Sequence, residues 1–474
     1  MNEMPENERV YDPAQFEKWI AEIAALAADS VSRAHHRDGK VLVQKSIPEI
    51  AKELDFERLI AAGHGDLAAL TRVILANSNH LHDPRYMGHQ VAVPMLPSAI
   101  ADMLAGVLNN GMAVYEMGPA ATTIERGIIR WMLRNVDAGW ESSGDGVLTH
   151  GGSLANLSCL LAARCKVIPE SWSTGVPAGY VLLASEASHY SISRAAAILG
   201  FGANAVVKIP ADREMRINAR DLAETYLSVL KQGKRVFAVV VNAGATPTGI
   251  FDPLRPISEF CRNEKIWLHV DGAHGASALV SPRYRELLDG VALADSIAWD
   301  THKMLGTSTL CAAALVRDKS VLAGSYAQHA PYLFTDADKP GEDLSKLTFE
   351  CTKSPLGLKL FFNLAVLGEK GMAAHVERLF DNTQRFYEII KARKGFQTIH
   401  APQSNILCFR YGSDSLLQDR IRQQLVLNGD YYITRTTLHG ESYLRTVFMN
   451  PFTTVDDVTG LCGEIEKLAR NLQQ

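Results

Sequence analysis

Two short motifs in this chain carry residues able to do covalent chemistry. An apolar run, Ile266-Trp267-Leu268-His269-Val270, ends in Asp271-Gly272-Ala273-His274-Gly275, and Thr301-His302-Lys303 follows downstream. A lysine amine can condense with an aldehyde to a Schiff base, and a carboxylate at a strand end can hold the proton of a ring nitrogen. Asp271 and Lys303 supply that pair, and the small residues after the aspartate let a flat ring lie close to the backbone. The combination suits pyridoxal 5'-phosphate (PLP). Singly, each motif has a plainer meaning: Asp-Gly after a strand is a turn signal, and His-Lys in a loop is commonly solvated surface.

The elements that must position these residues are legible between about Gly146 and Arg317. Val181-Leu-Leu, Ala205-Val-Val, Val236-Phe-Ala-Val-Val-Val, Trp267-Leu-His-Val, Ser296-Ile-Ala-Trp and Ala312-Ala-Ala-Leu-Val read as strands. Between several of them lie helical stretches at Leu154–Cys165, Ile192–Leu199 and Asp221–Leu230, the last two stopped by Gly200 and Gly233. Continuous apolar strands separated by helices predict an α/β domain with a mainly parallel sheet covered on both faces. Ligands of such sheets bind beyond the carboxyl ends of the strands, where Asp271 would sit. After about Gly357 the pattern changes to a long helical region through Lys391, short strands near Ile406 and Tyr443, and a closing helix from Asp456 to Leu472. That predicts an α+β appendage. At the other end, Phe16, Ile20, Ile23, Ala24 and Ala27 recur at helical spacing within Pro13–Arg33.

Further candidate groups stand next to these elements. His150-Gly151-Gly152-Ser153 lies between a strand and a helix, so Gly152 and Ser153 offer backbone amides and a hydroxyl to a phosphate at a helix N-terminus. The plainer alternative is a strand-to-helix turn with a serine cap. His189 follows a strand end and can stack on a ring, although a histidine before a helix is more often a cap. Thr246, in a loop after another apolar strand, has a hydroxyl that can reach a cofactor or support Asp271. Arg445 has the planar fork suited to a carboxylate, or else pairs across a hairpin.

Composition bounds the partners. The 474 residues are 47% hydrophobic and 21% charged with a formal net charge of −4, which supports sizeable cores and gives no general basic field for nucleic acid or anionic membrane. A small-molecule substrate is expected. The seven cysteines are scattered, odd in number and never spaced Cys-x-x-Cys, against a disulfide framework or a structural zinc site, and no metal is expected. Met1–Val10 is polar with no apolar signal core, and no run approaches a membrane span, so a cytoplasmic location is expected.

The segments around His269-Val270-Asp271 and Ser296-Ile-Ala-Trp-Asp-Thr-His-Lys303 resemble the group II PLP-dependent amino-acid decarboxylases, the family of glutamate, cysteine-sulfinate, aromatic-amino-acid and 2,4-diaminobutyrate decarboxylases. The similarity runs from about Pro84 to the C-terminus. It implies PLP-dependent transferase fold type I (aspartate aminotransferase-like), with a seven-stranded sheet in a large domain over 86–356, a small C-terminal α+β domain over 357–474, and an N-terminal helical segment over 1–85 packing on a partner subunit. It implies Lys303 as the Schiff-base lysine, Asp271 on the pyridine nitrogen, His189 stacked on the ring with Ala273 opposite, and His302 with the Gly152-Ser153 turn and Thr246 on the cofactor. Arg445 would bind the substrate carboxylate, and Tyr332, on a loop reaching the neighbouring subunit, would give the proton, so a homodimer is implied. His89 and Tyr115 would line the substrate end. Gly88-His89 resembles the diaminobutyrate enzymes and Tyr115-Glu116 the acidic-substrate members; small acidic substrates (glutamate, aspartate or cysteine sulfinate) are preferred. The alternatives are a 2,4-diaminobutyrate or aromatic-amino-acid decarboxylase, an aldehyde-forming oxidative decarboxylase, an aminotransferase, or a non-catalytic scaffold. One departure stands out: where many members have Cys-Gly-Arg-x-x-Asp, this chain has Cys351-Thr352-Lys353-Ser354-Pro355-Leu356, which puts the usual pocket edge in doubt.

Overall fold

The apolar runs form one seven-stranded sheet in a computed structural model that describes residues 6–326 and 342–473. Its strands are β1 (Asp145–Thr149), β2 (Tyr180–Ser185), β3 (Val206–Ile209), β4 (Arg235–Asn242), β5 (Trp267–Asp271), β6 (Ser296–Asp300) and β7 (Ala312–Val316). The order across the sheet is β1-β7-β6-β5-β4-β2-β3. All neighbours from β6 to β3 pair in parallel, and β7 runs antiparallel to both β6 and β1. Every residue of β5, β6 and β7 is buried, as expected of strands covered on both faces.

The helix Gly152–Val167 packs on this sheet with a face of small residues, burying Ala155, Asn156, Ser158, Cys159, Ala162 and Ala163 together with Leu160 and Leu161. Small side chains bring the helix axis close to the strands. The two leucines add the burial that fixes it there, each worth about 1.5–3 kcal/mol. Because parallel strands end on the same side, Asn242 of β4, Asp271 of β5 and Ala298 of β6 stand in register at one edge. The site is assembled there.

A second sheet takes the order β10-β11-β9-β8, from β8 (Phe396–Thr398), β9 (Ile406–Tyr411), β10 (Thr434–Leu438) and β11 (Glu441–Val447). The chain divides into two compact units, one of Gln90–Glu388 with Thr398–Cys408 and one of Met1–His89, Ile389–Gln397 and Phe409–Gln474. The helical run Gly357–Ala392 bends at Gly368, whose φ of 65° interrupts it. Of the first long helix, Pro13–His35, Ala34 is the fully buried residue; Ile20 and Ile23 of the expected apolar face are half-buried, and Phe16, Ala24 and Ala27 are exposed in the single chain.

Candidate active site

Asp271 ends β5, 8% exposed, with both carboxylate oxygens engaged: Oδ2 accepts from Asn156 Nδ2 at 3.1 Å and Oδ1 from the Ala273 N–H at 3.2 Å. Lys303 lies past the end of the neighbouring β6, where its Nζ is 3.0 Å from Oδ2 of Asp300, a carboxylate 2% exposed. The Asp300 N–H in turn donates to the Ala273 carbonyl at 3.2 Å, tying the two strand ends together. His189 shares the place: its imidazole feels the charges of both Asp271 and Lys303, and burial, the larger influence, pushes its pKa below the ordinary value. Nδ1 of His189 lies 2.9 Å from Ser191 Oγ. The large unit thus brings Asp271, Ala273, His189 and Lys303 together at the ends of β5 and β6.

The turn after β1 is built for close approach. Gly151 has φ +102° and precedes a helix whose first amides have no helical partners. A Cβ on Gly152 would stand 2.6 and 2.8 Å from the Asp300 carboxylate oxygens, so glycine is a steric requirement. Ser153 is exposed at the helix start. His302 Nδ1 lies 2.7 Å from the Cys311 carbonyl, leaving Nε2 at 3.7 Å from Asp300. Thr246 is half-buried on the turn after β4, which is closed by Gly249 N–H to Ala245 carbonyl at 2.6 Å. Tyr115 is half-buried on the short turn Tyr115–Met117, its backbone N–H held by Asp343 at 3.1 Å.

In the smaller unit, Arg445 on β11 is 6% exposed and its Nη1 donates to Thr434 Oγ1 at 3.2 Å. His89 Nε2 lies 2.9 Å from the Tyr432 hydroxyl, and burial, then Arg445 and Arg422, lower its pKa. A Cβ on Gly88 would stand 2.1 Å from the Tyr432 ring, so Gly88 is dictated by packing rather than by a substrate. Tyr332 lies outside the described residues. The departure at 352–356 also has a structural account, different from a vacated pocket edge: Lys353 points inward to an ion pair with Glu125, the two side chains 1% and 0% exposed.

Sequence reasoning left Asn156, Ser191, His269 and Asp300 without roles. The alternation along β5 places His269 on the same side as Asp271, and that signal was present in the sequence. The others are neighbours only through the strand order.

A donor set of one acceptor carboxylate, one lysine amine, a flanking imidazole and a glycine cradle at a helix start fits PLP, and the mainly parallel seven-stranded sheet beside a separate small sheet agrees with PLP-dependent fold type I. A family model, the pyridoxal-dependent decarboxylase conserved domain, matches residues 65–412, and the chain belongs to that family. It is a PLP-dependent amino-acid decarboxylase. The mouse acidic amino acid decarboxylase GADL1 is 30% identical over 96% of this chain and 86% of its own length. Mouse cysteine sulfinic acid decarboxylase is 30% identical over 97% of this chain and 98% of its own. The crystal structure of mouse CSAD superposes with a TM-score of 0.90 at 27% identity, covering 97% of this chain and 99% of that one.

Proposed function

We propose that the protein releases the α-carboxylate of a small acidic L-amino acid as carbon dioxide and yields the corresponding amine. The observation that carries this reading is the pair of full-length relatives named for acidic and cysteine-sulfinic substrates.

When bound, PLP supplies an aldehyde for the amine and a ring that accepts the electrons of the broken bond. The residues around it have separate tasks. Lys303 would hold the aldehyde carbon, Asp271 would keep the proton on the ring nitrogen, and His189 and Ala273 would cover the ring. Gly152, Ser153, Thr246 and His302 would hold the phosphate and phenolic edges, and on the family resemblance Arg445 would bind the substrate carboxylate, with His89 and Tyr115 at the substrate end. Tyr332 would return the proton to the α-carbon, on the strength of its sequence segment.

The working unit is proposed to be a homodimer. Leu96, Ile100, Met103 and Val107 form one stripe of the helix Leu96–Leu108, each between 48% and 55% exposed, an apolar face that a second copy would cover. Seven free cysteines support a reducing, cytoplasmic setting.

The test is carbon dioxide release across cysteine sulfinate, aspartate, glutamate, 2,4-diaminobutyrate and aromatic amino acids, with Lys303→Ala as control. The acidic set should be turned over by the wild type, and the visible absorbance of the bound cofactor should vanish in Lys303→Ala. Release only from 2,4-diaminobutyrate or an aromatic substrate, or consumption of oxygen with aldehyde formed, would overturn the assignment.

A further inference from the structure

We infer that Asn156 is a positioning residue of this site: its amide is the junction of a one-way hydrogen-bond chain from Trp267 to His189 that places the single proton of the His189 ring on Nε2. The inference rests on the proposed role of His189 in covering the cofactor. It assigns a task to three residues that the chemistry leaves unused, Asn156, Ser191 and His269, all buried.

The direction is fixed at the Asp271 end, where a carboxylate takes the Asn156 NH2 and so turns the amide oxygen to His269, and the Trp267 end agrees with it. An indole nitrogen only donates, so Trp267 Nε1–H gives its hydrogen to Ser296 Oγ at 2.9 Å. The Ser296 hydroxyl is then free to donate to His269 Nδ1, also at 2.9 Å. Burial pushes the His269 imidazole down to about 4, so it is neutral at pH 7 and carries one ring proton. With Nδ1 accepting, that proton is on Nε2 and goes to Asn156 Oδ1 at 2.9 Å. The other end of the amide is therefore the NH2 group. It donates to Asp271 Oδ2 at 3.1 Å and to Ser191 Oγ at 3.0 Å. Ser191 passes its own hydrogen to His189 Nδ1 at 2.9 Å, and the Ser191 backbone N–H points at the same nitrogen from 3.3 Å.

Two independent anchors exclude the reverse. A flipped Asn156 amide would set its oxygen against the Asp271 carboxylate with no hydrogen between them. A proton on His189 Nδ1 would collide with the Ser191 N–H. The consequence for the reaction is specific: His189 presents an N–H, not a lone pair, from Nε2, so it can hold an anionic oxygen of substrate or cofactor and cannot serve as a base there. One amide thereby fixes both the acid beneath the ring nitrogen and the imidazole on its face.

The test is a neutron structure of the deuterium-exchanged holoenzyme together with two serine variants. Deuterium is expected on Nε2 of both His189 and His269. Ser191→Thr, which keeps the hydroxyl, should match the wild type. Ser191→Ala should lower kcat on the order of tenfold, the worth of one such bond, with cofactor content and KM little changed. Deuterium on His189 Nδ1, or Ser191→Thr as impaired as Ser191→Ala, would overturn the assignment. A panel that finds no acidic substrate would sink the substrate reading and leave this tautomer untouched, so the two can fail separately.

Discussion

Replacing Lys353 by methionine removes the cation of an ion pair whose side chains are 1% and 0% exposed, while the similar stem keeps the packing. Glu125 would retain the Leu148 N–H on Oε1 at 3.0 Å, but Oε2 has no hydrogen-bond partner among the described residues, so the charge is left largely uncompensated. Lys353 Nζ also holds the Leu148 carbonyl, which would lose that donor. Removing one partner of a buried pair costs about 3–5 kcal/mol, roughly a hundredfold to a few thousandfold in the folded-to-unfolded ratio. Leu148 belongs to β1, just before the His150-Gly151-Gly152 turn, so the loss should also weaken cofactor retention. The assay is denaturant unfolding followed by tryptophan fluorescence, with Glu125→Leu/Lys353→Met beside the single variant. The double variant removes both charges and should recover most of the loss, since apolar replacement of a buried pair is often neutral or stabilising. A single variant within about 1 kcal/mol of the wild type, or a double variant as unstable as the single, would refute the reasoning.

Two further outcomes are expected. His269 has a folded pKa of about 4 against an ordinary value of 6.5, so the unfolded chain takes up a proton that the folded one refuses. Its contribution is intact above pH 6.5 and is lost at about 1.4 kcal/mol per pH unit as the pH falls from 6.5 towards 4. Unfolding free energies of His269→Gln should decline one proton less steeply over that window, and parallel slopes would contradict the assignment. Gly152→Ala would push a methyl group into the Asp300 carboxylate, within 2.6 Å, and should raise the PLP dissociation constant at least tenfold by equilibrium dialysis; unchanged retention would show that the turn has room to give.

The pairing of Asp271 with Lys303 was legible because imine chemistry admits few residue types, although either motif alone has a plainer meaning, and β4 to β7 were legible because full burial leaves a largely apolar run. Asn156 and Ser191 were hidden by topology. Asn156 reaches His269 and Asp271 only because the helix after β1 crosses onto β5 and β6, strands far along the chain, and Ser191 meets Asn156 because the helix Ser191–Ile198 packs on that same helix. The helices between residues 47 and 136 went unread for another reason. The stripe Leu96, Ile100, Met103 and Val107 is exposed in the single chain, so its periodicity does not mark this chain's core. A start signal was present at Ser46-Ile47-Pro48-Glu49, where the structure has a capping box with proline in the first turn. Lys353 is the instructive case: the sequence reads as a lost arginine at a pocket edge, and packing turns the remaining cation into the interior.

The two carboxylates at the adjacent ends of β5 and β6 are treated in opposite ways, and the difference separates their tasks. Asp271 has an N–H on each oxygen from Asn156 and Ala273, so its orientation is fixed before any ligand arrives. Asp300 is held by the Lys303 amine through Oδ2, and its Oδ1 has no hydrogen-bond partner among the described residues. Its position is thus tied to the lysine rather than to the scaffold. The missing Cβ at Gly152 is the space that carboxylate occupies. On the proposed reading the glycine of the turn would serve two ends at once, admitting a phosphate to the helix amides and leaving room for the acid beside the lysine. A residue chosen for the anion alone would need only the backbone amide, whereas here the side-chain hydrogen itself is dictated by Asp300.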